Sequence, residues 1–172
     1  MQSAMLFPPQ RHLTFAKFES RPGSVHARSA SAQFAMRSGI SYQEPILLLA
    51  GRPSSGKTHL LHAISNLVKR NTYVHSGITI SSQRLAEEVQ RANAFGDLHI
   101  WRERFASEHF LGIDVVDDIF GHGDVASLLL EVLRLRANAI LRTIVSASLS
   151  SAPDIPCPLN TFLNHQRAVR LL

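Results

Sequence analysis

The chain has 172 residues, 45% of them apolar, which suits one domain with a real core, or one domain and a tail. Its formal net charge is +5, but the fifteen arginines are scattered and never form a block, which argues against a nucleic-acid-binding arm. The single cysteine, Cys157, excludes an internal disulfide framework, and no apolar run approaches the length of a membrane span.

Residues 1–12 open on a short apolar cluster and then meet Pro8 and Pro9, which rule out a helix past Phe7. This stretch reads as an extended tail, either a docking peptide or a terminus folded back on the domain. Leu13 and Phe15 fall on one face if 13–18 is extended. A turn at Arg21-Pro22-Gly23-Ser24 precedes a helical pattern from about Ser24 to Ser38, with Val25, Ala32, Ala35 and Met36 at helix spacing.

The apolar run Ile46-Leu47-Leu48-Leu49-Ala50 then leads into Gly51-Arg52-Pro53-Ser54-Ser55-Gly56-Lys57-Thr58. An amphipathic segment, 59–68, follows. Buried strand, glycine turn and helix form the context in which G-x-x-x-x-G-K-[ST] is a phosphate-binding loop. Glycines let the backbone approach an anion closely. Successive N–H groups make a concave nest, and the helix start adds partial positive charge. Lys57 is placed to reach the β/γ-phosphates of ATP or ADP, and the Thr58 hydroxyl to ligate Mg²⁺.

Ile78-Thr79-Ile80 reads as a second strand, and Ser81 or Ser82 as the cap of a helix running to about Ala92. A further helix carries Trp101 and Phe105 at i and i+4. The next strand is read as 113–118, ending in paired acids. Ligands sit outside the carboxyl end of an open parallel sheet. Asp117 is therefore expected to hold Mg²⁺, and Asp118 to orient or deprotonate the attacking water, in preference to a solvated loop pair. Asp114 is awkward in that reading: a carboxylate inside a buried strand is costly unless paired, and a shorter or irregular strand is the alternative.

A long helix from Asp124 to Ala139 shows an apolar stripe of Leu128, Leu129, Val132 and Leu135. The strand 143–148 ends at Ser148, which either senses the terminal phosphate or serves as a turn former. Residues 152–158 are a proline-rich loop, and 167–172 a closing strand. The alternation predicts an α/β protein with a parallel central sheet and helices on both faces, a three-layer sandwich.

Several of these pieces together resemble the AAA+ domain of the DnaA family of replication initiators. They are the lead-in Leu-Thr-Phe-Ala-Lys-Phe (13–18), Gly56-Lys57-Thr58-His59-Leu60-Leu61-His62-Ala63-Ile64, Trp101-Arg102-Glu103-Arg104-Phe105, and Asp117-Asp118-Ile119. The resemblance implies an AAA+ P-loop NTPase fold over 13–172. It places the aromatics of the lead-in near adenine, makes His59 and His62 family features, and makes 143–148 the sensor I strand. The nucleotide-binding set is then Gly51, Pro53, Ser54, Ser55, Gly56, Lys57, Thr58 and His59. The metal pair is Thr58 and Asp117, and the catalytic pair Asp118 and Ser148.

The departures also inform. The family's helical lid and DNA-binding domain are expected to be absent, and 159–163 contains no arginine finger. Without these, ATP hydrolysis is expected to be weak. Within the family the chain is most similar to the regulatory-inactivator (Hda) type, which joins a sliding-clamp-binding peptide to an AAA+ domain. Gln2, Met5, Leu6 and Phe7 resemble that peptide, with the amide fixing register and Met5 and Phe7 filling an apolar pocket. The likeness implies a cytoplasmic adaptor with the clamp and the DnaA initiator as partners. Self-association is possible, and no direct sequence-specific DNA binding is implied. The alternative readings are a stand-alone ATPase or loader, and an inactive nucleotide-binding module.

Overall fold

The computed structural model describes residues 9–36, 44–71, 77–148 and 157–171. The proposed clamp-binding residues Gln2, Met5, Leu6 and Phe7 lie outside them. Five strands form one parallel sheet: β1 (Ile46–Gly51), β2 (Ile78–Ser81), β3 (Phe110–Asp114), β4 (Arg142–Ser148) and β5 (Arg167–Leu171), in the order β2-β3-β4-β1-β5. The helices are α1 (Val25–Met36), α2 (Lys57–Asn71), α3 (Ser82–Ala94), α4 (Leu98–Ser107), α5 (Gly123–Asn138) and α6 (Pro158–Asn164).

A sheet buried on both faces must be apolar on both, and β1 is. Its alternate residues divide between two cores. Leu47 and Leu49 pack with α1 and α2 through Phe34, Leu60, Leu61 and Ile64. Ile46, Leu48 and Ala50 pack with the other four helices through Leu85, Phe105, Leu129, Val132 and Leu163. The three-layer architecture expected from the alternating pattern is what forms. No described helix is long and apolar enough to cross a membrane.

Four local expectations need correction. Residues 13–18 are not simply extended, because a 3-10 turn occupies Phe15–Lys17. In α1, Val25 and Met36 are exposed, and the buried face is Ala27, Ala30, Ser31, Phe34 and Ala35. In α5, Leu135 is exposed while Arg136 is fully buried. Finally, β3 ends at Asp114, and Val116–Ile119 is a 3-10 turn rather than strand. The reason is steric and visible at one residue: Val115 is left-handed (φ 57°), which breaks the extended geometry of a regular strand.

Arg136 joins three elements. Its guanidinium donates to the carbonyls of Phe105, Glu108 and Arg142 and to Thr143 Oγ1, all within 2.7–2.9 Å. Burial pushes its pKa down to about 10, opposed by Glu108. The cation therefore stays charged and satisfies carbonyls that would otherwise be orphaned.

Candidate functional site

The site lies at the carboxyl ends of β1, β3 and β4, where ligands of an open parallel sheet bind. The loop between β1 and α2 reverses through Ser54 (φ 61°) and Gly56 (φ 97°). Such left-handed residues turn successive N–H groups inward. Two glycines are required by space as well. A Cβ on Gly51 would lie 2.7 Å from the Leu171 carbonyl, and one on Gly56 would lie 2.8 Å from the Phe18 ring. Inside the loop Lys57 Nζ donates to the Gly51 carbonyl (2.9 Å) and the Arg52 carbonyl (2.7 Å). Burial lowers the Lys57 pKa, while Asp117 and then Asp114 act to raise it. The Ser55 hydroxyl is buried without a hydrogen-bond partner. A caged ammonium, inward amides and an orphaned donor together fit an acceptor-only guest such as phosphate.

The three acids are distributed differently from the sequence expectation. The Thr58 hydroxyl donates to Asp114 Oδ2 at 2.8 Å, so Asp114, not Asp117, stands beside Thr58. Ser146 on β4 fixes this carboxylate by donating to Oδ1 at 2.5 Å, and accepts the Val115 N–H at 2.8 Å. Asp117 Oδ2 accepts the Ser148 N–H at 2.7 Å. Asp118 Oδ2 accepts the Ser82 hydroxyl at 3.0 Å, on the first turn of α3. Asp118 is thus tied to α3 rather than presented to the loop. Ser148 takes part through its backbone.

Thr58 and Asp114 place two hard oxygens side by side, the donor type that would suit Mg²⁺. Among the described residues no group of three or more His, Cys, Asp or Glu forms a metal cluster, and magnesium needs none.

Two clefts flank the loop. One, of about 280 Å³, is lined by Lys17, Phe18, Arg21, Ser54, Gly56 and His59. Phe18 meets His59 edge-on at 5.3 Å, and His59 Nε2 is 2.9 Å from the Thr14 carbonyl. The other, about 450 Å³, is lined by Thr58, Asp114, His62, Arg84 and Gln10 among others. The lead-in segment is strapped to α2 between them. Asn66 Nδ2 donates to the Gln10 and Leu13 carbonyls, and the Gln10 N–H donates to His62 Nδ1.

Sequence reasoning did not bring Asp114 and Ser146 to the loop beside Thr58. For Asp114 the signal was present, as a carboxylate in an otherwise buried strand that required a partner. At the expected finger position, α6 buries Leu159 and Leu163 and carries no arginine. Arg167 is engaged with Glu44 at 3.2 Å.

The fold and this loop define a P-loop nucleotide-binding domain of the AAA+ type. Among known proteins, the family described as the bacterial DnaA ATPase domain matches residues 10–164. The chain belongs to that family. The chromosomal replication initiator DnaA of Bordetella petrii is 36% identical over 113 residues, covering 62% of this chain and 21% of that protein. The chain therefore spans about a fifth of the length of such curated relatives. Domain III of Thermotoga maritima DnaA superposes with a TM-score of 0.85 at 24% identity, over 96% of this chain and 69% of that one. AMPPCP-bound DnaA from Aquifex aeolicus gives 0.84 at 19% identity, over 95% and 51%.

Proposed function

We propose that this protein is a DnaA-type adaptor that holds Mg-ADP or Mg-ATP on the 51–58 loop. The observation that supports it best is the joint placement of Lys57 on the loop carbonyls and Thr58 on Asp114. In this reading Lys57 takes the β/γ-phosphates, Thr58 and Asp114 hold magnesium, and Phe18 and His59 border the base. When bound, magnesium would neutralise phosphate charge. That an initiator of the family was solved with AMPPCP supports an adenine nucleotide as the ligand.

The tail 1–12 would dock on the DNA polymerase sliding clamp through Gln2, Met5, Leu6 and Phe7. The domain would then engage the initiator, promote hydrolysis of its ATP in the cytoplasm and so restrain replication initiation. An α6 without an arginine finger favours a catalytic site assembled with a partner over rapid turnover alone. Fluorescent ADP titration of the chain and of Lys57→Ala tests the nucleotide reading; equal affinity would remove it. Clamp pull-down with Gln2→Ala and Phe7→Ala tests the docking, and unchanged capture would remove the adaptor role.

A further inference from the structure

Given the nucleotide site proposed above, we infer that Asp117 is the acid that orients the attacking water, reached through a turn instead of from the residue next to the metal-side acid. The position after Asp114 is Val115, which cannot accept a proton. Asp118 faces Ser82. Asp117, in contrast, converges with Lys57 on one rung of the sheet. Gly51 and Ser148 are register partners across β1 and β4. The Gly51 carbonyl receives Lys57, and the Ser148 N–H is received by Asp117. Neighbouring strands are about 4.8 Å apart, so both side chains border the same few ångströms where a terminal phosphate would lie.

The backbone is arranged for this. A β-branched residue at φ 57° is a steric outlier that costs free energy. Such strain persists where surroundings over-determine it, and it clusters at active sites. Here the Val115 N–H is fixed by Ser146, and Val116 and Ile119 are fully buried on either side of Asp117. The left-handed residue ends β3 and folds the chain back, so an acid two residues on returns to the end of the sheet. In the step, the water oxygen bonds to the γ-phosphorus as the bond to the β–γ bridging oxygen breaks. Asp117 takes the water proton, ADP and phosphate leave, and the proton passes to solvent.

Single-turnover ATP hydrolysis by the full chain, with protein in excess, tests the assignment in wild type, Asp117→Asn and Asp118→Asn. An asparagine oxygen still accepts the Ser148 N–H, so the fold is kept, and an unchanged melting temperature verifies this. Asp117→Asn should lower the rate about 10²-fold or more while ADP affinity stays within about threefold. Asp118→Asn should stay within about threefold of wild type. A second readout is binding of ADP with aluminium fluoride, measured by thermal shift. Wild type should gain stability over ADP alone, and Asp117→Asn should lose that gain only. The inference is overturned if the wild type binds ATP without turning it over, or if Asp117→Asn matches wild type. It is also overturned if Asp118→Asn falls as far as Asp117→Asn. A wild type that binds no nucleotide would overturn the underlying site as well.

Discussion

The phosphate loop and the acidic turn border the same end of the sheet, yet the chain specifies them by different means. The loop is local: eight consecutive residues carry its glycines, lysine and threonine, and their order dictates the geometry. The acidic turn is built by tertiary contacts. Which acid stands where depends on Ser146, Ser148 and Ser82, contributed by β4 and α3, and on one left-handed valine. A motif can be read from a sequence when its parts are contiguous. When its parts are gathered from several strands, only the acids are visible, not their assignments.

The largest expected effect lies on the loop side. Lys57→Ala removes the caged ammonium, and hydrogen bonds to charged groups are worth about 1.5–3 kcal/mol each. Loss of contact with the β-phosphate should therefore lower ADP affinity about tenfold to 10²-fold by fluorescence titration. On the opposite side, Asp114→Asn should lower Mg²⁺-supported ADP affinity about tenfold and abolish the effect of adding a chelator. Asp117→Asn should leave that magnesium dependence in place. If Asp117→Asn were the variant that lost it, the strand-end reading at Asp117 would return and the comparison would fail.

The legible and illegible parts of the molecule divide on the same line. Strand, loop and helix around 46–68 followed from hydrophobic period and glycine placement, and the parallel sheet from the alternation of elements. The α3 cap was legible as Ser81 or Ser82, and it is Ser81, whose side chain accepts the Arg84 N–H. The end of β3 was signalled only by the awkward Asp114 and not located, because Val115 and Val116 carry strong strand propensity and only a backbone forced left-handed stops the strand there. Arg136 was equally hidden. A cation in an apolar stripe reads as a surface residue until the carbonyls of Phe105, Glu108 and Arg142 are brought around it.

Glycine substitutions sharpen the contrast at smaller amplitude. Gly56→Ala forces a side chain into a left-handed position against Phe18, so urea unfolding should show a loss of about 1–2 kcal/mol. Gly121, just beyond the acidic turn, has nothing within 4 Å of an added Cβ. Gly121→Ala should change stability by no more than about 0.5 kcal/mol. Equal losses at both would mean that the turn is as tightly packed as the loop.

The smallest effect concerns the strap that runs between the two sides. The His62 pKa is lowered from its ordinary value chiefly by burial; Asp114 opposes the shift, and His12 and His59 add to it. A histidine with a lowered folded pKa binds fewer protons in the folded chain than in the unfolded one, so stability rises with pH across that interval. The contribution is complete above the unfolded value, about pH 6.5, and is lost as pH falls through the folded value. Structure gives the same direction, since His62 Nδ1 accepts the Gln10 N–H and a protonated ring cannot accept. His62→Gln keeps a side-chain acceptor without a titrating group. Urea unfolding without nucleotide should therefore be less pH-dependent in His62→Gln than in wild type between about pH 7.5 and pH 5.5. Removing the strap contact altogether with His62→Ala should also lower stability at the higher pH, by about 1 kcal/mol. If His62→Gln retained the full wild-type slope, the pH dependence would belong to another group, and Gln10 would be held to α2 by Asn66 alone.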